Sequence, residues 1–236
     1  MSAGGGSLAA SQGMRAATAQ LAEEAVLRNH PEVMEQLSKG AWGEKRNLAW
    51  VAEVCPELTP EEREDAVAAM KHYSGAGSRA IHNNNPDNDP EVAREINLID
   101  RVLGGKNTPV YKGAIYRGVK WEAGEAALRK TIKNGQWTEK GITSFSSYPG
   151  IADNFSDVTS RKTDGISVIL RVPAGKNISG VPFKHMSIYA SEDEVLMPSS
   201  VRNRGWTITK STWTTNKHGR KVVYLDIEEN IRRKVK

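Results

Sequence analysis

The rhythm of apolar and polar positions changes once along this chain, near Pro109. Before that point apolar residues recur every three to four positions, the spacing of one helical face. Residues 14–37 carry the pattern through Leu21, Ala25, Val26 and Leu27, and Gly40 closes it. Thr59-Pro60-Glu61-Glu62 combines an N-cap, a first-turn proline and a capping-box glutamate. The helix it opens aligns Ala66, Val67, Met70 and Tyr73 on one side. Asp89-Pro90 repeats the start signal, Val92, Ile96, Ile99 and Leu103 form the next apolar stripe, and Gly104-Gly105 stops it. Between these helices, the Asn- and Asp-rich run 83–89 predicts a polar loop.

Beyond Pro109 the apolar runs shorten, and Gly, Pro and Asn separate them. Residues 110–118, 142–147, 166–173, 194–197, 206–215 and 221–227 read as strands. Residues 216–219 fit a hairpin loop joining the last two, and 122–134 a single short helix between the first two. Helices first and strands second predict an α+β domain. No internal repeat is present.

Composition narrows the class without naming a chemistry. The 236 residues are 38% hydrophobic and 26% charged, enough for a packed core. No stretch has the apolar length of a membrane span, so no membrane partner is expected. Residues 1–20 are rich in Gly, Ser and Ala, without the apolar centre of a secretion signal. The first 13 are expected to be unfolded, since such residues bury too little to offset the entropy of ordering. Cys55 is the single cysteine, which excludes an internal disulfide and fits a reducing compartment; a small buried hydrophobe is its expected role. His30, His72, His82, His185 and His218 lack metal-ligand spacing, so no metal is expected. The net charge of +5 sits toward the C-terminus, where Arg202, Arg204, Lys210, Lys217, Arg220, Lys221, Arg232, Arg233, Lys234 and Lys236 face Asp226, Glu228 and Glu229. This basic end reads as a solvated terminus, with nucleic acid as the lesser reading.

Three short patterns in the strand-rich half carry candidate chemistry. Tyr116-Arg117-Gly118 ends one strand. Gly141-Ile142-Thr143-Ser144-Phe145-Ser146 follows, with Ala152 and Phe155 downstream. Tyr189-Ala190-Ser191-Glu192-Asp193-Glu194 then runs into the apolar Val195-Leu196. Singly each is common; their order is what distinguishes them. In that order they resemble the R-S-E class of mono-ADP-ribosyltransferases, which includes bacterial binary toxins, vertebrate ecto-enzymes and phage enzymes. Tyr73-Ser74-Gly75, with Ile81 beyond it, is similar to a further element of that class. The resemblance covers roughly residues 58–227. It departs from the class at Phe145, which replaces the middle threonine of Ser-Thr-Ser, and at Ile81-His82, where the class has Ile-Asn. Because alternate strand residues face opposite ways, Phe145 is expected to point into the core and leave the site intact.

The resemblance implies a helical N-terminal lobe followed by a two-sheet, mostly antiparallel β core, with residues 1–40 an extension and 41–236 the catalytic domain. It implies an enzyme that takes NAD as substrate, releases nicotinamide and moves ADP-ribose to an arginine of a target protein in a host or target-cell cytoplasm. Breaking the glycosidic bond leaves an oxocarbenium-like ribose, which a nearby carboxylate stabilises. By resemblance that carboxylate is Glu194, Ser144 orients it, and Arg117, with Gly118 beside it, grips the dinucleotide, as a planar guanidinium suits phosphate oxygens. Phe155 would lie against nicotinamide. Tyr189 and Glu192 would meet the acceptor, Glu192 pairing with a guanidinium and helping to deprotonate it. The alternatives that keep the fold are an NAD glycohydrolase and a transferase acting on nucleic acid.

Overall fold

The computed structural model describes residues 43–77, 89–139, 141–156, 165–183, 186–187, 192–200, 205–216 and 219–231. The expected helix over 14–37, most of the loop at 83–89 and the Ile81-His82 pair lie outside them. The first elements are helices: α1 (Glu44–Val54), α2 (Pro60–His72) running into a wide turn at Tyr73–Gly77, and α3 (Pro90–Leu103). The start signals act as their chemistry requires. Thr59 Oγ1 accepts from Glu62 N at 3.2 Å while Glu62 Oε2 accepts from Thr59 N at 2.8 Å, a complete capping box. Asp89 Oδ1 accepts from Glu91 N and Val92 N, and Gly104 caps the far end of α3. Ala66, Val67, Met70 and Tyr73 are all buried, as are Val92, Ile99 and Leu103. Together with Trp50, Val51 and Val54 of α1 they form one apolar cluster, against which Ile96 packs. Cys55 is fully buried there, its Sγ donating to Arg101 O.

The second part contains β1 (Ile115–Trp121), α4 (Glu125–Asn134), β2 (Gln136–Trp137), β3 (Thr143–Ser146), α5 (Pro149–Ser156), β4 (Ile166–Val172), β5 (Val181–Pro182), β6 (Glu194–Met197), β7 (Trp206–Thr215) and β8 (Lys221–Glu229). Hydrogen bonds join all eight strands in the order β2-β7-β8-β4-β1-β3-β6-β5. Every pairing is antiparallel except β4 with β8. The expected pair of sheets is thus one sheet in hydrogen-bond terms, and its packing explains the difference. β1 pairs with β4 over its whole length but with β3 only through Tyr116 and Ser146. The strands on both sides of that pair share one core, in which Phe145, Val195 and Met197 from one side meet Val168, Leu170, Val223 and Leu225 from the other. Phe145 lies 5.3 Å, ring to ring, from Trp206, the inward placement expected for it.

α5 covers the outer face of β1 and β4, where Tyr116, Ala152, Ile169 and Val222 meet. It reaches that face because residue 118 has no side chain. A methyl group on Gly118 would run into the Ala152 carbonyl oxygen and come within 2.6 Å of Ser156 N. Gly118→Ala is therefore expected to cost about 1–3 kcal/mol of stability through overpacking. An unchanged melting temperature would show that α5 is not seated this way.

Candidate active site

A cleft of about 490 Å³ is lined by residues of both β1 and β3. Tyr116, Arg117 and Gly118 of β1 line one wall and Ser144, Phe145 and Ser146 of β3 another. Ile151, Ala152 and Phe155 of α5, Tyr73-Ser74-Gly75 of the helical part, and Glu192 and Glu194 complete it.

Glu194 opens β6 directly opposite Ser146, and the same register sets Ser144 against Leu196. Since residues two apart share a face, Ser144, Ser146 and Glu194 all face one way while Phe145 and Val195 face the core. Glu194 is only 6% exposed. Burial pushes its carboxyl up to about 7 and the charge of Glu192 adds to the rise, while the hydroxyls of Ser187 and Ser144 and the Arg117 guanidinium pull the other way. A buried carboxyl shifted upward in a cleft is the kind of group that clusters at functional sites. Tyr73 packs beside it, its hydroxyl donating to Ile142 O at 3.2 Å, and its phenol is held well above the usual range by burial and by Glu194.

The chain turns sharply between the two glutamates. Asp193 has φ of 45°, a left-handed conformation that Asp tolerates better than bulkier residues. Two bonds fasten this corner to the end of β3: Ser146 Oγ donates to Glu192 O at 2.6 Å and Ser147 N donates to Asp193 O at 2.9 Å. Ser146 is thus a clamp on the acidic corner, a role its sequence position does not announce. Glu192 is partly buried at the cleft, and burial raises its carboxyl above the ordinary value.

Arg117 leaves β1 toward β3, where Nη1 donates to Ser144 O at 2.9 Å. Its other edge faces Glu139, with Nε 3.4 Å from Oε1 and Nη2 3.5 Å from Oε2. Trp137 Nε1 donates to the same Glu139 Oε1 at 2.9 Å. Sequence reasoning missed Glu139, because one acid in Thr-Glu-Lys reads as an ordinary polar loop. It also missed Ser187, a bonding partner of Glu194 that no local pattern marks.

Of the other expected residues, Phe155 is 55% exposed at the cleft and not a core residue. Gly118 lines the cleft while also admitting α5. Tyr189 lies outside the described residues. Among the described residues no three His, Cys, Asp or Glu side chains converge as a metal site, and no helix is long and apolar enough to cross a membrane. His72 pairs with Glu95 at 2.9 Å between α2 and α3 and does not line the cleft.

No protein-family model matches the chain, and no curated protein matches its sequence. Solved structures do match its fold. The ADP-ribosyltransferase Vis in complex with agmatine superposes with a TM-score of 0.52 at 19% identity, over 85% of this chain and 92% of that one. The Vis toxin, an ADP-ribosyltransferase from Vibrio splendidus, gives a TM-score of 0.52 at 18% identity, over 84% and 91%. The chain therefore has the fold of an ADP-ribosyltransferase toxin, with its Arg117, Ser144 and Glu194 on one cleft of that fold.

Proposed function

We propose that the protein is a mono-ADP-ribosyltransferase that cleaves NAD and transfers ADP-ribose to arginine side chains of target proteins. The observation that carries this reading is the convergence of Arg117, Ser144 and the buried Glu194 on one cleft, with Glu192 at its edge. Arg117 holds the pyrophosphate, and Phe155, free to stack, lies against the nicotinamide ring. When the bond from ribose C1 to the nicotinamide nitrogen breaks, its electron pair leaves with neutral nicotinamide and C1 becomes cationic. The ionised Glu194 carboxylate, oriented by the Ser144 hydroxyl, stabilises that charge in a site with little water to screen it. Glu192 pairs with the incoming guanidinium and removes a proton as its nitrogen bonds to C1. That Vis was crystallised with agmatine, itself a guanidinium compound, supports this acceptor class.

The test is incubation of the protein with NAD labelled in its adenylate half and a mixed cell lysate, in chelator. Label is expected in material that survives nuclease and disappears with protease, with an equal amount of nicotinamide released. Label lost to nuclease would assign a nucleic-acid acceptor. Nicotinamide released without any labelled macromolecule would make the protein a glycohydrolase.

A further inference from the structure

We infer that Glu139 is a positioning residue for dinucleotide binding, a carboxylate that fixes the Arg117 guanidinium in the orientation from which it grips the pyrophosphate. The inference rests on the proposed NAD chemistry and extends it to a residue outside the Arg, Ser and Glu positions. A guanidinium has five N–H groups in a rigid plane. Ser144 O takes one from Nη1, and the Glu139 carboxylate lies along the Nε and Nη2 edge. One hydrogen on each Nη nitrogen is then left over, a pair suited to fork two phosphate oxygens.

Burial makes the arrangement consequential. The Arg117 and Glu139 side chains are 20% and 13% exposed, and Arg117 Nε is buried without a hydrogen-bond partner, so Glu139 is the countercharge beside it. A guanidinium without that charge would turn toward whatever acceptor it could reach. Glu139 is in turn held by Trp137 Nε1, and the Trp137 ring packs 5.7 Å from that of Trp121. The chain of control therefore runs from a packed indole through a carboxylate to the guanidinium.

The experiment measures NAD turnover by the purified full chain, and binding of ADP-ribose, which keeps the pyrophosphate and lacks nicotinamide. Glu139→Gln and Glu139→Ala are expected to raise KM for NAD and weaken ADP-ribose by about 10-fold, the size of one lost charge-assisted bond. Changes in kcat should stay within about 2-fold, and inhibition by nicotinamide should be unaltered, since the ring does not meet Arg117. Glu139→Ala added to Arg117→Ala should cost nothing further, because the two act as one unit. Trp137→Phe keeps the ring packing without the N–H and should give a smaller shift of the same kind, even if a Glu139 variant folds poorly. A fall in kcat at constant KM would overturn the inference. So would tighter ADP-ribose binding, the result expected if Glu139 merely competes with phosphate. Wild-type protein that binds ADP-ribose while the variants bind it equally well refutes the role of Glu139 alone. Wild-type protein that neither consumes NAD nor binds ADP-ribose refutes the proposed function and, with it, this inference.

Discussion

Glu194→Gln is expected to slow NAD consumption by roughly 10²–10³-fold, the usual cost of removing one group aimed at developing charge, and to stabilise the protein above neutral pH. The second half follows from the sign of the pKa shift. Folding raises the Glu194 carboxyl from 4.5 to about 7, so between those values the folded state holds a proton that the unfolded state has lost. The stability this group contributes is complete below pH 4.5 and is lost as pH rises through about 7. At one pKa unit per 1.36 kcal/mol, the full loss is on the order of 3 kcal/mol. Glutamine fills the same space, can still bond the Ser144 and Ser187 hydroxyls, and never ionises. The melting temperature of the variant should therefore gain on wild type by several degrees between pH 5 and pH 8. Wild-type activity should rise over the same interval, because in the proposed reaction the ionised carboxylate is the working form. Equal melting-temperature differences at both pH values, or undiminished turnover, would refute this assignment.

That conflict between stability and function also shows which parts of the molecule can be read from sequence. The capped helices α2 and α3 were legible because their start signals act within four residues, and Thr59 and Asp89 bond where local chemistry demands. Phe145 was legible for a similar reason: strand alternation alone turns it away from Ser144 and Ser146. Residues of all three candidate motifs line one cleft, but their order along the chain does not say what joins them.

The illegible features depend on distant partners. α1 has no sharp start signal; Gly43 at its N-cap offers no side-chain bond, and burial of Trp50, Val51 and Val54 decides its existence. α5 is a short Pro-Gly-led stretch that reads as loop, and its seat depends on the missing side chain of Gly118, some thirty positions earlier. β1 was expected from residue 110 and begins at Ile115. The residues before it make single long-range bonds instead of a ladder, Tyr111 N to Gly180 O and Gly175 N to Lys112 O. The lone Tyr116–Ser146 pair between β1 and β3 is likewise a matter of how the halves pack, which no strand records by itself. Glu139 is invisible in sequence because its meaning comes wholly from Arg117 and Trp137.

Glu192→Gln should separate the two halves of the proposed reaction. Transfer to protein and to agmatine, used as a small guanidinium acceptor, is expected to fall by about 10²–10⁴-fold, the usual contribution of a positioned acid or base. Nicotinamide release with water as acceptor should stay within several-fold of wild type. The corner itself should survive the change, since Ser146 Oγ and Ser147 N bond the backbone oxygens of Glu192 and Asp193 and not the side chain. Removing the Glu192 charge also takes away one of the influences that raise the Glu194 carboxyl. Glu194 should then ionise at lower pH, and the rising limb of NAD hydrolysis should move to lower pH in the variant. This displacement distinguishes loss of a neighbouring charge from general damage to the site, which would lower the rate at every pH. Nicotinamide release and agmatine labelling measured side by side from pH 5 to pH 9 decide the matter. Equal losses in both would place Glu192 in NAD cleavage, and undiminished agmatine labelling would remove it from the acceptor step.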